Sequence, residues 1–148
     1  MPHTYTDLHV HVVFGTLGRR PFLTDSIRSQ VFSCLRSLAT ELNLHPIRIG
    51  GWVDHAHVLA GFSPRAALAD AIRDLKSRSS GWVRDTVNAE FRWQRGYAAF
   101  SVSRGGCPRL ERYIANQEEH HRRESFEDEY RRLLQECGIE VDPAFLWT

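Results

Sequence analysis

The sequence predicts an α+β fold in which helices cover one antiparallel sheet. Two observations carry this prediction: some segments have apolar residues at every second position, and others have apolar residues three and four apart. The first spacing is typical of a half-buried strand and the second of an amphipathic helix. Along the chain these segments follow the order strand, helix, strand, strand, helix, strand. This is the split βαββαβ pattern of ferredoxin-like folds, with both helices on one face of the sheet.

Each element of this core has a local justification. The four predicted strands are apolar or alternating stretches at residues 5–14, 46–53, 54–62 and 97–103. The first helix is expected to begin after Thr24, which can cap it, and to end near Asn43. The second is expected to begin at Pro64, because proline is tolerated in a first helical turn, and to end at about Val83.

Two more helices are expected beyond the sheet. Gly105 and Gly106 interrupt the chain, and a helix is predicted over 108–123. Ser125 is typical of a helix cap and precedes a last predicted helix over 126–137. The glycine pair can act as a hinge between the sheet and the helix that follows.

Length and composition indicate a single domain over residues 1–148, with its core at about 5–104. A hydrophobic content of 42% is enough to bury a core in 148 residues. The amino-terminal residues do not resemble a signal peptide, and no apolar run approaches the roughly 20 residues of a membrane span, so a cytoplasmic location is expected. A net charge of +1 argues against a protein that holds duplex DNA by bulk charge.

Two histidines interrupt the third predicted strand. His55 and His57 lie two residues apart in "DHAHVL", so they point to one face of the strand, away from the helices. Two neutral imidazoles at this spacing can reach one metal ion, but they can equally be half-exposed strand residues. His9 and His11 share a face of the first strand. We expect them to be structural, although they border the histidine pair if their strand is central.

The predicted helix over 108–123 carries a second group of polar residues. Tyr113 and Gln117 are four residues apart, so a helix places them on one face. An ordinary amphipathic helix, docked in part by its tyrosine, explains this spacing as well. His120 and His121 follow and are expected to lie at the surface.

These residues resemble the single-tyrosine HUH transposases of small insertion sequences, a family that includes the REP-associated tyrosine transposases. The likeness covers nearly the whole chain. It is carried by "HVVFGTLGRRPFL" at 11–23, "DHAHVL" at 54–59, "LKSRSS" at 75–80, "FRWQRGYAAFSVS" at 91–103 and "YIANQEEHH" at 113–121. The chain departs from the family at Ala56, where a large hydrophobic residue is usual, and at Leu17, where relatives often have lysine.

The resemblance implies a function and a role for each matching residue. It makes His55 and His57 metal ligands, Gln117 a third ligand and Tyr113 the nucleophile. The implied reaction is metal-assisted nicking and rejoining of single-stranded DNA near a hairpin, through a 5′-phosphotyrosyl intermediate, with Mg²⁺ or Mn²⁺. The implied assembly is a homodimer in which the tyrosine helix acts in trans, associated with the nucleoid when bound to DNA.

Basic and aromatic side chains outside the site are expected to contact the DNA, because they suit phosphates and unpaired bases. They are Arg19, Arg20, Arg73, Lys76, Arg78, Arg92, Trp93 and Arg95.

Three alternative functions stay open. A domesticated relative would bind hairpin DNA without moving its own element, an RNA-binding sheet would need exposed aromatic residues, and a hydrolase using water would not need Tyr113.

Overall fold

A computed structural model describes residues 3–148, so the first two residues of the predicted domain lie outside the described part. The elements are β1 (Leu8–Gly15), α1 (Asp25–Glu41), β2 (His45–Trp52), β3 (His55–Phe62), α2 (Leu68–Thr86), β4 (Ala98–Val102), α3 (Cys107–Ala115), α4 (Gln117–His120) and α5 (Phe126–Glu136). None of the helices in the described residues is long and apolar enough to cross a membrane.

The four strands form one antiparallel sheet in the order β2-β3-β1-β4. The predicted ferredoxin-like arrangement is therefore confirmed. β1 and β3 are the two central strands, and Val13 of β1 is paired with His57 of β3. This pairing brings the neighbouring His11 of β1 next to the histidine pair of β3.

The first face of the sheet packs against α1 and α2, as the alternating pattern predicts. The sheet contributes apolar side chains at every second position, among them Val12, Phe14, Ala56, Val58 and Ala60. The helices contribute residues three and four apart, among them Val31, Leu35, Ile72 and Leu75. Burial of these side chains is the main force that holds the helices on the sheet.

The second face of the sheet is covered by α3, α4 and α5, so the alternative of half-exposed histidines on β3 is wrong. Val13 and Phe100 of the sheet pack against Phe126, Tyr130 and Leu134. The physical reason is that α3 and α5 each have a strongly apolar side, which a helix of a water-soluble domain must bury against a partner. The histidine pair consequently lies in the interior of the protein.

Two helix boundaries also differ from the prediction. α2 begins at Leu68 and not at Pro64, because residues 63–66 form a turn in which the Ala66 amide donates to the carbonyl oxygen of Ser63. The single helix expected over 108–123 is broken at Asn116, whose backbone angles are φ −103° and ψ 25°. Asparagine competes with helical hydrogen bonding, which makes it a common site for such a break.

The predicted cap of the last helix is confirmed. The Ser125 hydroxyl accepts a hydrogen bond of 3.1 Å from the Asp128 amide, so the first turn of α5 has a satisfied donor. This cap fixes where α5 begins and therefore which of its residues face the sheet.

Candidate active site

The three ligands implied by the resemblance meet in the interior. His55 and His57 extend from β3, and Gln117 is the first residue of α4. The Gln117 Oε1 atom lies 2.9 Å from the Nε2 atom of His55 and 3.0 Å from that of His57. All three side chains are buried, at no more than 1% exposure.

A fourth group, Glu129 of α5, completes this cluster and was missed by the sequence analysis. Its Oε1 atom lies 3.2 Å from His57 Nε2 and 3.3 Å from His55 Nε2, and its side chain is fully buried. The sequence held one signal for it. Glu129 follows Phe126 by three residues and precedes Tyr130, so it is an acidic residue inside the apolar side of the helix.

His121 also faces the cluster, so its predicted surface position is wrong. Its side chain is 3% exposed, and its Nε2 atom lies 2.8 Å from Gln117 Oε1 and 3.4 Å from Glu129 Oε1. The turn that follows α4 directs it inward. His120 is only partly buried and is bonded to Glu124 at 2.8 Å.

A divalent cation fits the donor atoms that converge here. They are His55 Nε2, His57 Nε2, His121 Nε2, Gln117 Oε1 and Glu129 Oε1. The recorded separations between them are 2.8 to 3.4 Å. Neighbouring ligands of an ion with bonds of about 2.1 Å and octahedral geometry are about 3 Å apart, so the cluster has the spacing of a coordination shell.

A second layer of side chains orients the imidazoles. Asp54 Oδ1 lies 2.9 Å from His55 Nδ1, and His11 Nε2 lies 2.8 Å from His57 Nδ1. Such partners fix which ring nitrogen carries the proton and would leave the other nitrogen available to an ion. His11 therefore borders the site, as expected for a central first strand, whereas His9 lies 3.5 Å from Asp7.

Opposite charges share this interior. Burial alone would raise the pKa of Glu129, but hydrogen bonds from His121, His55 and His57 outweigh it and hold that pKa well below its ordinary value. Burial alone would lower the pKa of His55, but Asp54 and Glu129 raise it to about 9. Glu129 is therefore a buried carboxylate whose negative charge must be balanced by imidazolium or by a cation.

Tyr113 lies at the edge of the cluster. Its hydroxyl donates a hydrogen bond to Glu129 Oε2 and accepts one of 3.0 Å from the Arg132 guanidinium. Its ring is perpendicular to that of His57, with the ring centres 5.9 Å apart. Burial, followed by the negative charge of Glu129, raises the pKa of Tyr113, while Arg132 acts in the opposite direction.

A glycine lets the tyrosine helix approach the sheet. A Cβ atom added at Gly50 would lie 2.7 Å from the carbonyl oxygen of Ile114 and 2.8 Å from its Cγ2 atom. Only glycine therefore allows α3 to lie at its present distance from β2. Gly50 lies five residues before His55 in the sequence. This glycine beside the histidine pair could have indicated a close approach of another element, and it was not used in the sequence-based prediction.

Two of the predicted DNA contacts are interior residues. Trp93 is 6% exposed, and its indole Nε1 donates to Ser79 Oγ at 2.9 Å. The Lys76 ammonium donates to the carbonyl oxygens of Arg95 at 2.9 Å and Gly96 at 2.6 Å. Neither side chain is free to bind DNA in this conformation, because the core needs the first and backbone carbonyl groups hold the second.

The predicted arginines are distributed over the surface. Arg19 is half-buried, pairs with Glu127 and lies over the Trp147 ring. The exposed arginines are Arg20, Arg73, Arg78, Arg92 and Arg95. Of these, Arg73 and Arg95 line a cavity of about 250 Å³ together with Tyr97. The structure thus separates the exposed arginines from the buried cluster.

Comparison with known proteins gives a family for this fold and site. The sequence model of the family described as "Transposase IS200 like" matches residues 4–117. The chain is also similar to the ISDra2 transposase TnpA of Deinococcus radiodurans, with 22% identity in an alignment 117 positions long that covers 74% of this chain and 84% of that protein.

Two solved structures share the fold. A candidate transposase from Deinococcus radiodurans has a TM-score of 0.66 and 22% identity, over 79% of this chain and 95% of the other. A REP-associated tyrosine transposase bound to a REP hairpin has a TM-score of 0.61 and 11% identity, over 82% of this chain and 73% of the other. At these identities the likeness establishes the architecture.

Proposed function

Because the chain belongs to the IS200-like transposase family, we propose that it nicks and rejoins single-stranded DNA through a covalent bond between Tyr113 and a 5′-phosphate. The observation that carries this proposal is the position of the Tyr113 hydroxyl beside a buried group of convergent ligand atoms. A tyrosine that only docked its helix would not require a charged partner on each side of its hydroxyl. This one has a carboxylate and a guanidinium.

We propose that His55, His57 and Gln117 hold a divalent cation, either Mg²⁺ or Mn²⁺. The fit of the donor atoms supports this assignment. When bound, such an ion withdraws charge from a coordinated phosphate and stabilises the additional negative charge of the transition state. Asp54 and His11 contact the Nδ1 atoms of His55 and His57 and so orient the two imidazoles for this role.

The remaining chemistry belongs to side chains around Tyr113. The Glu129 carboxylate accepts a hydrogen bond from the phenol and so orients its oxygen, and Arg132 stabilises negative charge on that oxygen as its proton passes to solvent. That oxygen forms the new bond to phosphorus, while the 3′-oxygen leaves and takes up a proton. One phosphodiester replaces another, so the step is reversible by a 3′-hydroxyl and needs no nucleoside triphosphate.

The proposed substrate is single-stranded DNA that carries a hairpin. A relative of the same fold is described as bound to a REP hairpin, which supports this choice. The proposed phosphate contacts are the exposed arginines Arg20, Arg73, Arg78, Arg92 and Arg95, and the half-buried Arg19. Four of them, Arg19, Arg20, Arg73 and Arg78, must first leave an acidic partner. The alternative is a domesticated relative that acts on hairpins without moving its own element. Paired hairpin ends in the DNA that flanks the gene would favour a mobile element.

We further propose a homodimer that exchanges tyrosine helices. In the single chain described here, α3 packs on its own sheet, and Tyr113 lies beside its own chain's His57. An exchanged dimer would form the same contacts between two chains, as in other cases of segment exchange. The connection between β4 and α3 supports the proposal, because residues 103–105 are exposed and Gly105 is conformationally permissive.

The decisive variant for this function is Tyr113→Phe, which removes only the nucleophilic oxygen. We expect it to form no covalent adduct with a hairpin oligonucleotide, whereas hairpin binding persists. Tyr5→Phe is the matched control, because Tyr5 is 90% exposed and outside the cluster, and it should form adduct like the unaltered protein. The adduct is measured as a band that survives denaturing electrophoresis, with Mn²⁺ present and with a chelator.

Two results would contradict the proposal. An undiminished adduct in Tyr113→Phe would exclude this tyrosine as the nucleophile. Cleavage that is complete in excess chelator would exclude the role of the metal ion.

A further inference from the structure

We propose that Glu129 and His121 are metal ligands in addition to His55, His57 and Gln117. The inference deepens the proposed function, because it concerns the same site. Both residues lie beyond residues 4–117, the part of the chain that the family model matches. Their assignment therefore depends on the contacts of this structure.

The orientation of Gln117 is the first argument. Its amide nitrogen donates to the Tyr113 carbonyl oxygen and to Glu129 Oε2, each at 3.3 Å, which are both acceptors. The amide oxygen must therefore point the other way, toward the imidazoles. An oxygen that can only accept then faces the Nε2 atoms of His55, His57 and His121 at 2.8 to 3.0 Å.

The orientation of His121 is the second argument. Its Nδ1 atom lies 2.7 Å from the carbonyl oxygen of Glu124, so Nδ1 carries a proton and donates it. Binding an ion would require neutral imidazole, in which Nε2 has lost the proton that it otherwise donates to the facing oxygens. Its lone pair is then directed into the space that Gln117 Oε1 and Glu129 Oε1 also face. Lone pairs of different side chains that converge on one point can all coordinate a cation bound at that point.

The two oxygens of Glu129 have separate partners, which is the third argument. Oε1 faces the three imidazoles at 3.2 to 3.4 Å, while Oε2 faces Tyr113 and the amide nitrogen of Gln117. A fully buried carboxylate needs a positive partner, and Oε1 is placed to share one with the imidazoles. One carboxylate thus links the ion site to the nucleophile.

This ligand set has a consequence for the choice of ion. Three imidazoles and two oxygens form a site richer in nitrogen than Mg²⁺ prefers, and Mn²⁺ lies above Mg²⁺ in affinity for such ligands. The carboxylate adds a negative charge that the three ligands implied by the resemblance lack. We therefore expect the full chain to bind Mn²⁺ more tightly than Mg²⁺.

Titration calorimetry with Mn²⁺ on the full chain tests the carboxylate. Glu129→Gln keeps the shape of the side chain and removes its charge, so Mn²⁺ should bind at least tenfold more weakly. Glu127→Gln is the matched control on the same helix, because Glu127 pairs with Arg19 and Arg131 outside the cluster, and its affinity should be unchanged.

Pulsed electron paramagnetic resonance of bound Mn²⁺ tests the imidazole, because it counts the coordinating ring nitrogens. We expect three imidazoles in the unaltered chain and two in His121→Asn. His120→Asn is the matched control and should keep three, since His120 Nε2 faces Glu124 at 2.8 Å and the outer oxygen of Glu129, Oε2, at 3.4 Å, and not the Oε1 atom that faces the other imidazoles. Circular dichroism melts establish that each variant is folded. If Glu129→Gln does not fold, the count of imidazoles in the unaltered chain and in His121→Asn tests the proposal instead.

The outcomes separate this inference from the proposed function. If the unaltered chain binds no Mn²⁺, the metal role of the proposed function fails with it. If the unaltered chain binds Mn²⁺ through two imidazoles and Glu129→Gln binds it equally well, His55 and His57 keep their roles and only the two added ligands are excluded.

Discussion

At the scale of single residues, Lys76 shows how burial changes a side chain's role. It is the only lysine in the chain, and burial lowers its pKa to about 8 from an ordinary value of 10.5. Its ammonium group is used to satisfy two backbone carbonyl oxygens at the end of the segment that precedes β4. The same side chain was expected to bind DNA phosphates.

The lowered pKa of Lys76 predicts a dependence of stability on pH. Between pH 8 and 10.5 the unfolded chain keeps a proton that the folded chain releases, so this group makes the free energy of unfolding rise with pH. In Lys76→Met that contribution is absent. The free energy of unfolding is measured by urea denaturation from pH 7 to 10.5 and plotted against pH. The slopes for the two proteins should differ by an amount that corresponds to the uptake of up to one proton on unfolding.

The opposite contribution of His55, which loses stabilisation as pH rises from 6.5 toward 9, is common to both proteins and cancels in this comparison. Parallel curves for the unaltered chain and Lys76→Met would show that the ammonium group titrates normally and is not buried as described.

The positions of the candidate site residues could be predicted only where a local motif carries them. His55, His57, Tyr113 and Gln117 stand in short stretches whose spacing brings them to one face of an element. Glu129 could not be placed in this way, because its partners are far away in sequence and its position depends on how α5 docks on the sheet. Periodicity indicates that α5 has an apolar side, but it does not identify the facing groups.

At the scale of elements, the contact between α3 and β2 positions Tyr113, the proposed nucleophile. Gly50→Ala places a methyl group against the Ile114 carbonyl, so α3 must shift away from the sheet. A misplacement of about 1 Å can reduce a reaction rate about 100-fold, and we expect adduct formation to fall by at least tenfold while the protein stays folded.

Gly61→Ala is the matched control for this variant. Its added Cβ would be 3.4 Å from the Cβ atom of His45, which is an ordinary contact, so its adduct formation should match that of the unaltered chain. Equal rates for both glycine variants would show that the close approach of α3 does not position Tyr113. The rate of adduct formation is measured from reactions that are stopped at successive times, and folding is measured by circular dichroism.

Element order was predictable because each strand and helix of the core has a local period in its sequence. The break at Asn116 and the late start of α2 were not, because backbone hydrogen bonds of a turn decide them. The covering of the second sheet face was also missed. It results from the docking of three helices whose apolar sides could, from sequence alone, have faced a partner molecule instead.

At the scale of the whole molecule, the site is closed in this conformation. The side chains of His55, His57, Gln117 and Glu129 have at most 1% exposure. A DNA phosphate can reach them only after α3, α4 or α5 moves. Undocking of α3 is one such movement, and the proposed exchange of helices between two chains would also require it.

A mixing experiment tests the exchanged dimer. Tyr113→Phe and His57→Ala are each expected to be inactive. In a mixture, a heterodimer would combine the histidines of the first variant with the tyrosine of the second, so cleavage should reappear. If subunit exchange is demonstrated and the mixture still does not cut, Tyr113 acts within its own chain.

The most direct test of the account is to identify the atom that becomes attached to DNA. The unaltered protein is incubated with Mn²⁺ and a hairpin oligonucleotide from the DNA that flanks its gene, digested with protease and nuclease, and analysed by tandem mass spectrometry. We predict a nucleotide 5′-phosphate on the peptide that contains Tyr113, localised to that tyrosine, and a free 3′-hydroxyl on the other product. Cleaved DNA with a free 5′-phosphate and no linked peptide, or a link to another residue, would contradict the account.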